Sequence, residues 1–195
     1  MLVSMGLSSW YQRLFSGPRQ PEQPAFQVAP DDGDADTQFA LGLKFSTSGK
    51  GLQDLAQAVQ WYRKAADQNH LPAQYNLGLM LSTGDGVPRD DGAALIWIRK
   101  AAEGGDAAAQ FNLGMRYHRS SVHHLQMDCS ESRIEAYKWF QLAAVQGYKG
   151  SEAARERVTL GMSRDEVVDG NQRAAVFAIR KPWDSQDDLS STLPA

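Results

Sequence analysis

The side chains best suited to chemistry crowd into one stretch. His118, His123, His124 and Cys129 fall between Tyr117 and Arg133, and they are three of the chain's four histidines and its one cysteine. Imidazole and thiolate are good zinc ligands, and four of them would close a tetrahedral site. Their spacing matches no zinc pattern, however, and adjacent histidines seldom hold one ion together. Asp128 and Glu131 add no evident geometry, so the stretch reads as a polar loop and no metal is assigned to it. An enzyme needs a nucleophile, a base and an orienting group brought together. The sequence offers no Ser-His-Asp arrangement, no paired carboxylates within a motif and no phosphate-cradling glycine loop. Gly84-Asp85-Gly86 follows no strand pattern and reads as a turn rather than a nucleotide fingerprint. No enzymatic activity and no cofactor are expected.

Binding groups are better represented. Asn76 and Asn112 lie 36 residues apart, each just after an aromatic residue, Tyr75 or Phe111, and Phe39 keeps the same step. Amides at such a spacing can hydrogen-bond an extended peptide backbone or a carboxylate, against the plainer reading that they bond local backbone. Arg116 and Arg119 stand nearby in sequence, as does Lys44.

These residues belong to a repeat. Gln38, Gln74 and Gln110 recur every 36 residues, as do Leu41-Gly42, Leu77-Gly78 and Leu113-Gly114. Trp61 and Trp97 share the period, followed in register by Ala65-Ala66 and Ala101-Ala102. The third copy is stretched by about six residues: Trp139 comes 42 after Trp97, and its alanine pair is Ala143-Ala144. Each copy spells two helices. The first covers Ala35–Thr47, Leu71–Ser82 or Asp106–Arg119, and the second Asp54–Gln68, Asp90–Glu103 or Ser130–Gln146. Glycine in mid-helix costs about 1 kcal/mol relative to alanine. Its return in every copy predicts close approach of the paired helices, with the alanines doing the same from the other side. The tryptophans are expected to fill the wedge between units. Gly84 to Pro88 forms the turn, and Asp90 or Asp91 caps the next helix.

Composition agrees with a folded chain lacking a nucleic-acid field. The 195 residues are 42% hydrophobic and carry a net charge of −3. No apolar run approaches the roughly 20 residues of a spanning helix. One cysteine cannot make an internal disulfide. Residues 1–17 have an amphipathic helical face (Val3, Leu7, Trp10, Leu14) suited to docking on the stack end or on a partner, ahead of a membrane surface or a targeting role. Residues 18–34 hold four prolines and read as a linker. After three repeats at 35–70, 71–106 and 107–150, residues 151–181 are expected to form helical caps. A capping box at Ser163 to Glu166 opens the second of them. Residues 182–195 read as a loose tail.

The strings AQYNLGLMLSTGDGVPRDD and WIRKAAEGGDAAAQ resemble the Sel-one-like repeat, a longer relative of the tetratricopeptide repeat. The likeness covers about residues 35–180. The first copy departs in its turn, Ser48-Gly49-Lys50-Gly51-Leu52, and the third through its insertion. The resemblance implies an all-α fold, a right-handed α–α superhelix of antiparallel helix pairs, and a role as a scaffold or adaptor holding a protein or peptide in its concave groove. By analogy with tetratricopeptide geometry, Phe39, Tyr75, Asn76, Phe111 and Asn112 face that groove, with Arg116 and Arg119 beside them. Secreted bacterial relatives carry a cysteine pair per repeat, which this chain lacks. The expectation is therefore a cytoplasmic rather than periplasmic chain, with a protein partner and neither nucleic acid nor a small-molecule substrate. The alternatives are metal binding through the histidine stretch, and tethering to a membrane or complex through residues 1–17.

Overall fold

A computed structural model describes residues 33–48, 51–123 and 129–179, apart from the His123 side chain. The chain divides into residues 1–32 and 33–195, and every described residue belongs to the second unit. The expected helix at 1–17, most of the linker, His124 and the tail lie outside the described residues.

Among the described residues there are eight helices and no strand. They are α1 (Ala35–Ser46), α2 (Leu52–Asp67), α3 (Leu71–Thr83), α4 (Asp91–Gly104), α5 (Ala107–His123), α6 (Ser130–Val145), α7 (Ser151–Thr159) and α8 (Arg164–Ile179). The first six form three pairs stacked in chain order, an α–α superhelix.

Helix starts follow cap chemistry. Asp34, counted above with the linker, accepts from Thr37 N–H at 2.8 Å, and Asp90 accepts from Ala93 N–H at 2.9 Å. Asp91, the other candidate, instead pairs with Arg89 at 2.8 Å. Gly86, at φ 71°, passes so close to the Leu55–Ala56 backbone that a Cβ there would overlap it. The turn of the second repeat is thereby seated on the first.

The recurrent glycines admit a side chain from the paired helix. A Cβ on Gly42 would lie 2.5 Å from the Tyr62 ring, one on Gly78 2.6 Å from Ile98, and one on Gly114 2.8 Å from the Phe140 ring. These three partners each follow a repeat tryptophan. Ala65, Ala101 and Ala143 are fully buried. Trp61 and Trp139 are buried and Trp97 partly so. Trp97 packs on a core that runs from Ala58 to Ala94 across the first two repeats, and Trp139 on one that runs from Ile98 to Ala174. A lysine ammonium lies over each ring: Lys64 and Lys100 at 4.5 Å, Lys138 at 4.4 Å.

The stretch expected to be a polar loop from Tyr117 to Arg133 is largely helical in its described part. α5 continues to His123, one turn beyond the Arg119 expected, and α6 begins at Ser130. Much of the insertion lengthens a helix already nucleated, where each added residue gains a backbone bond.

The cap closes the stack. Val158 of α7 joins a core with Tyr137 and Phe140, while Leu160 is left exposed at the helix's end. α8 does not pair with α7. It runs alongside α6 in the same direction, Glu166 meeting Arg133 at 2.7 Å, Gly170 meeting the Tyr137 ring, and Phe177 meeting Trp139 at 5.3 Å. Ser163 and Glu166 form the expected box: Ser163 N–H donates to Glu166 at 2.6 Å and Glu166 N–H to Ser163 Oγ at 3.2 Å. Arg173 binds Glu131, Glu135 and Asp169, tying α8 to the first turns of α6.

Candidate functional site

The first helices of the repeats carry the candidate site. In each, the glutamine points inward: Gln38, Gln74 and Gln110 are 4%, 3% and 2% exposed. A helix turns about 100° per residue, so the aromatic that follows lies at the edge of the core and the next residue further out. Phe39, Tyr75 and Phe111 are accordingly half-buried. Phe39 stacks on His70 at 4.5 Å and approaches Tyr62 at 5.8 Å. Phe111 meets Phe140 at 5.6 Å and Tyr148 at 5.3 Å. His70, Asp106 and Tyr148 are equivalent positions, so Phe39 and Phe111 each lie against the residue that leads into the next unit, and Tyr75 is within reach of the charge of its counterpart, Asp106.

Both candidate asparagines are half-exposed and each lies beside a phenol. Asn76 approaches the hydroxyl of Tyr62, which lies 3.0 Å from Ser46 Oγ. Asn112 approaches the hydroxyl of Tyr75. Burial raises both phenols above their ordinary value, and the neighbouring amides oppose it. An amide has two donor and two acceptor sites, so a phenol alongside leaves capacity for another group. Arg116 lies one turn after Asn112, close enough to Asp91 to add to the lowering of that carboxyl, which comes first from the Arg89 hydrogen bond. Arg116 is half-buried, and Arg119 is exposed three residues further on. The structure thus groups Asn112, Arg116 and Arg119 along α5, while Phe39, Tyr75 and Phe111 are shared between this face and the core.

A row of residues on the same face was missed in the sequence. Leu43, Leu79 and Met115 are spaced by 36 and lie three residues after Ala40, Asn76 and Asn112, a spacing that shares a helix face. Leu43 is 40% exposed, Met115 36%, and Leu79 half-buried. The repeat period was the signal that could have found them. A second feature was also missed: a groove of about 630 Å³ between α6 and α8, with Leu142, Val145, Ala174 and Phe177 in its walls and Gln110 and Asn171 at its edges. It exists because α8 lies along α6, which no repeat pattern foretells.

Of the histidine stretch's candidate ligands, the side chains of His118 and Cys129 are described. His118 is on α5, half-buried, with Nδ1 lacking a hydrogen-bond partner, and burial, then the charge of Arg157, favours its neutral form. Cys129 precedes α6. Among the described residues no three His, Cys, Asp or Glu side chains are placed to hold a metal, and no helix is long and apolar enough to cross a membrane.

A family model for the Sel1 repeat matches residues 35–70, 71–106 and 107–148, more than half of the chain. The chain belongs to the Sel1 repeat family. Its Sel1 architecture is shared with solved proteins. One is a protective antigen present in uropathogenic Escherichia coli strains displaying an SLR fold, with 28% identity over 84% of this chain and 34% of that one, at a TM-score of 0.65. Another is a Sel1 repeat protein from Oxalobacter formigenes, with 30% identity over 78% of this chain and 61% of that one, at 0.58. The chain therefore spans about a third and about three-fifths of these two relatives. No curated protein matches. Sel1 repeat proteins are generally protein–protein interaction scaffolds and typically not enzymes.

Proposed function

We propose that this Sel1 chain grips an extended segment of a protein partner along the face of α1, α3 and α5. The observation that carries the reading is the row Leu43, Leu79 and Met115. Stacking of the helix pairs does not require apolar side chains at a position turned outward, yet each repeat has one. Beside the row stand Asn76 and Asn112, with spare amide capacity for a peptide backbone. Apolar anchors would supply affinity, and amides one repeat apart would fix register. The charge on the face is unequal, with Lys44 on α1 and Arg116 and Arg119 on α5, which favours a segment with acidic residues toward the third repeat. Tyr75 and the two phenylalanines would form the floor rather than the grip.

The test is a photo-crosslinking amino acid placed at Met115 and, as control, at Gln60, an exposed position of α2. A partner captured from Met115 and not from Gln60 is the expected result. That capture should weaken at least about tenfold in the Asn76→Ala/Asn112→Ala double variant, as for a hot-spot pair. Equal capture from both positions, or capture indifferent to the double substitution, overturns the assignment.

A further inference from the structure

The groove between α6 and α8 leaves apolar surface at the end of the stack, where a repeat array ordinarily turns a polar face outward. Leu142, Val145, Ala174, Ala175, Phe177 and Ala178 supply its apolar walls. Three of the α8 wall positions are alanines, whose side chains stop at Cβ and leave the space unfilled. Val145, on the α6 side, is 78% exposed. The described lining carries no charged side chain, and its polar groups are amides such as Gln110 and Gln146. Gln146 gives an amide hydrogen to Gln110 Oε1 at 2.9 Å, and its own oxygen is an acceptor on the rim. At about 630 Å³ the groove has the size of a small-molecule pocket, room enough for an indole.

From this geometry we infer that the groove is the docking site of the segment that follows α8, with the Trp183 indole as its anchor. Phe177 and Ala178 are among the walls, so the groove reaches the last turn of α8, where that segment departs. Trp183 follows Ile179 by four residues, at most about 14 Å of extended chain. Between them Pro182 has no N–H to continue the α8 ladder, so the chain leaves the helix line just before the indole. Trp183 is the one aromatic residue after Ile179. Its ring offers a large apolar area, and its N–H needs one acceptor, which the Gln146 oxygen supplies. Asp184, Asp187 and Asp188 come next and would be costly in an uncharged groove, so the anchor is the indole and the carboxylates stay in water. A second copy or a foreign helix must find the groove by encounter. A tethered indole is presented at millimolar effective concentration, which favours the chain's own segment.

The inference does not rest on the partner reading, and its test uses the full chain alone. A photo-crosslinking phenylalanine analogue is placed at Trp183 and its products are mapped by mass spectrometry. Crosslinks to Val145, Ala175 or Ala178 of the same molecule are expected, with a yield that dilution does not change. Val145→Glu, a change at an exposed wall position, should cut that yield at least about fivefold by setting a charge in the groove. Crosslinks elsewhere, crosslinks joining two copies, or a yield indifferent to Val145→Glu overturn the assignment. Hydrogen exchange gives a second reading. Amides of Ala174 to Ile179 should exchange about three- to tenfold faster in Trp183→Ala, the indole's burial being partly offset by the closure of its tether, and Trp183→Phe should stay near wild type. Exchange unmoved by Trp183→Ala sinks the inference. So does acceleration that appears only when residues 1–17 are deleted, which would make the N-terminal segment the occupant.

Discussion

Gln74 and Gln110 occupy the same place in consecutive repeats, are equally buried, and each donates its amide at 3.1 Å to the alanine pair of the unit before, Ala66 or Ala102. Their carbonyl oxygens fare differently. Gln110 Oε1 accepts from Gln146 of its own repeat at 2.9 Å. The residue matching Gln146 in the second repeat is Gly104, whose side-chain space is filled by Leu71, and Gln74 Oε1 is buried without a hydrogen-bond partner. Gln38, in the first matched repeat, turns its amide to the Gly33 carbonyl at 3.2 Å and accepts from Gln68 at 2.8 Å. The bond between repeats is thus made at both junctions, while the bond within a repeat is optional. Register between units rests on the former.

Breaking both halves at once should have the largest effect. Gln110→Leu removes two bonds, the one to the Ala102 carbonyl, which keeps Gly105 N–H as a donor, and the one from the exposed Gln146 amide, and should destabilise by about 1–2 kcal/mol. Gln74→Leu removes only the bond to the Ala66 carbonyl, which keeps Asn69 N–H as a donor, and also removes an orphaned oxygen, so its loss should be about 1 kcal/mol smaller. Urea unfolding of the two variants measures the gap, and equal losses would mean that the within-repeat bond carries no weight.

A second comparison concerns the glycines. A methyl at Gly78 would meet Ile98 and also backbone, the Ala94 carbonyl at 3.1 Å and Ile98 N at 3.2 Å, whereas at Gly114 its three nearest neighbours are all atoms of the Phe140 ring. A ring can tilt more readily than a helix backbone can shift. Gly78→Ala should lose about 1–2 kcal/mol after the helix-propensity gain is counted, and Gly114→Ala less. Thermal melts of the pair should separate accordingly, and a larger loss at Gly114 would show the Phe140 pocket to be the stiffer.

The smallest effect is expected where charge, not amide pairing, holds the structure. Glu166 is lowered from 4.5 to about 2, first by its hydrogen bond from Ser130, then by Ser163 N–H and Arg133. A carboxyl lowered on folding stabilises fully above its unfolded value and loses that contribution as pH falls toward the folded one. Wild-type stability should therefore drop more steeply than that of Glu166→Gln between pH 4.5 and pH 2. The gap seen at pH 7 should close at the acid end, and parallel acid curves would remove Glu166 from the cap's support.

How far the sequence reached can be judged residue by residue. The repeats were legible because Gly42, Gly78 and Gly114 and the tryptophans are costly or bulky residues that recur only when packing demands them. The Ser163–Glu166 box was legible because its chemistry is local, four residues answering one another. The approach of Asn76 to Tyr62 and of Asn112 to Tyr75 was not, since it depends on how one helix is rotated against its neighbour. Nor was the cap of α3 by His70, whose Nδ1 accepts from Ala73 N–H at 3.1 Å while its Nε2 lies 3.1 Å from Asp36 of α1. The helical continuation of α5 to His123 was hidden by polar letters that suit a loop equally well.

The glutamine that reaches back to an alanine carbonyl has a constructive consequence. Residues 71–106 bring a donor at their leading edge, Gln74, and an acceptor at their trailing edge, Ala102. A duplicate of that block spliced between Asp106 and Ala107 would meet matching ends on both sides, with α8 still sealing α6. The molecule is in this respect a ruler that can be lengthened from the middle, one graduation at a time, without touching either end.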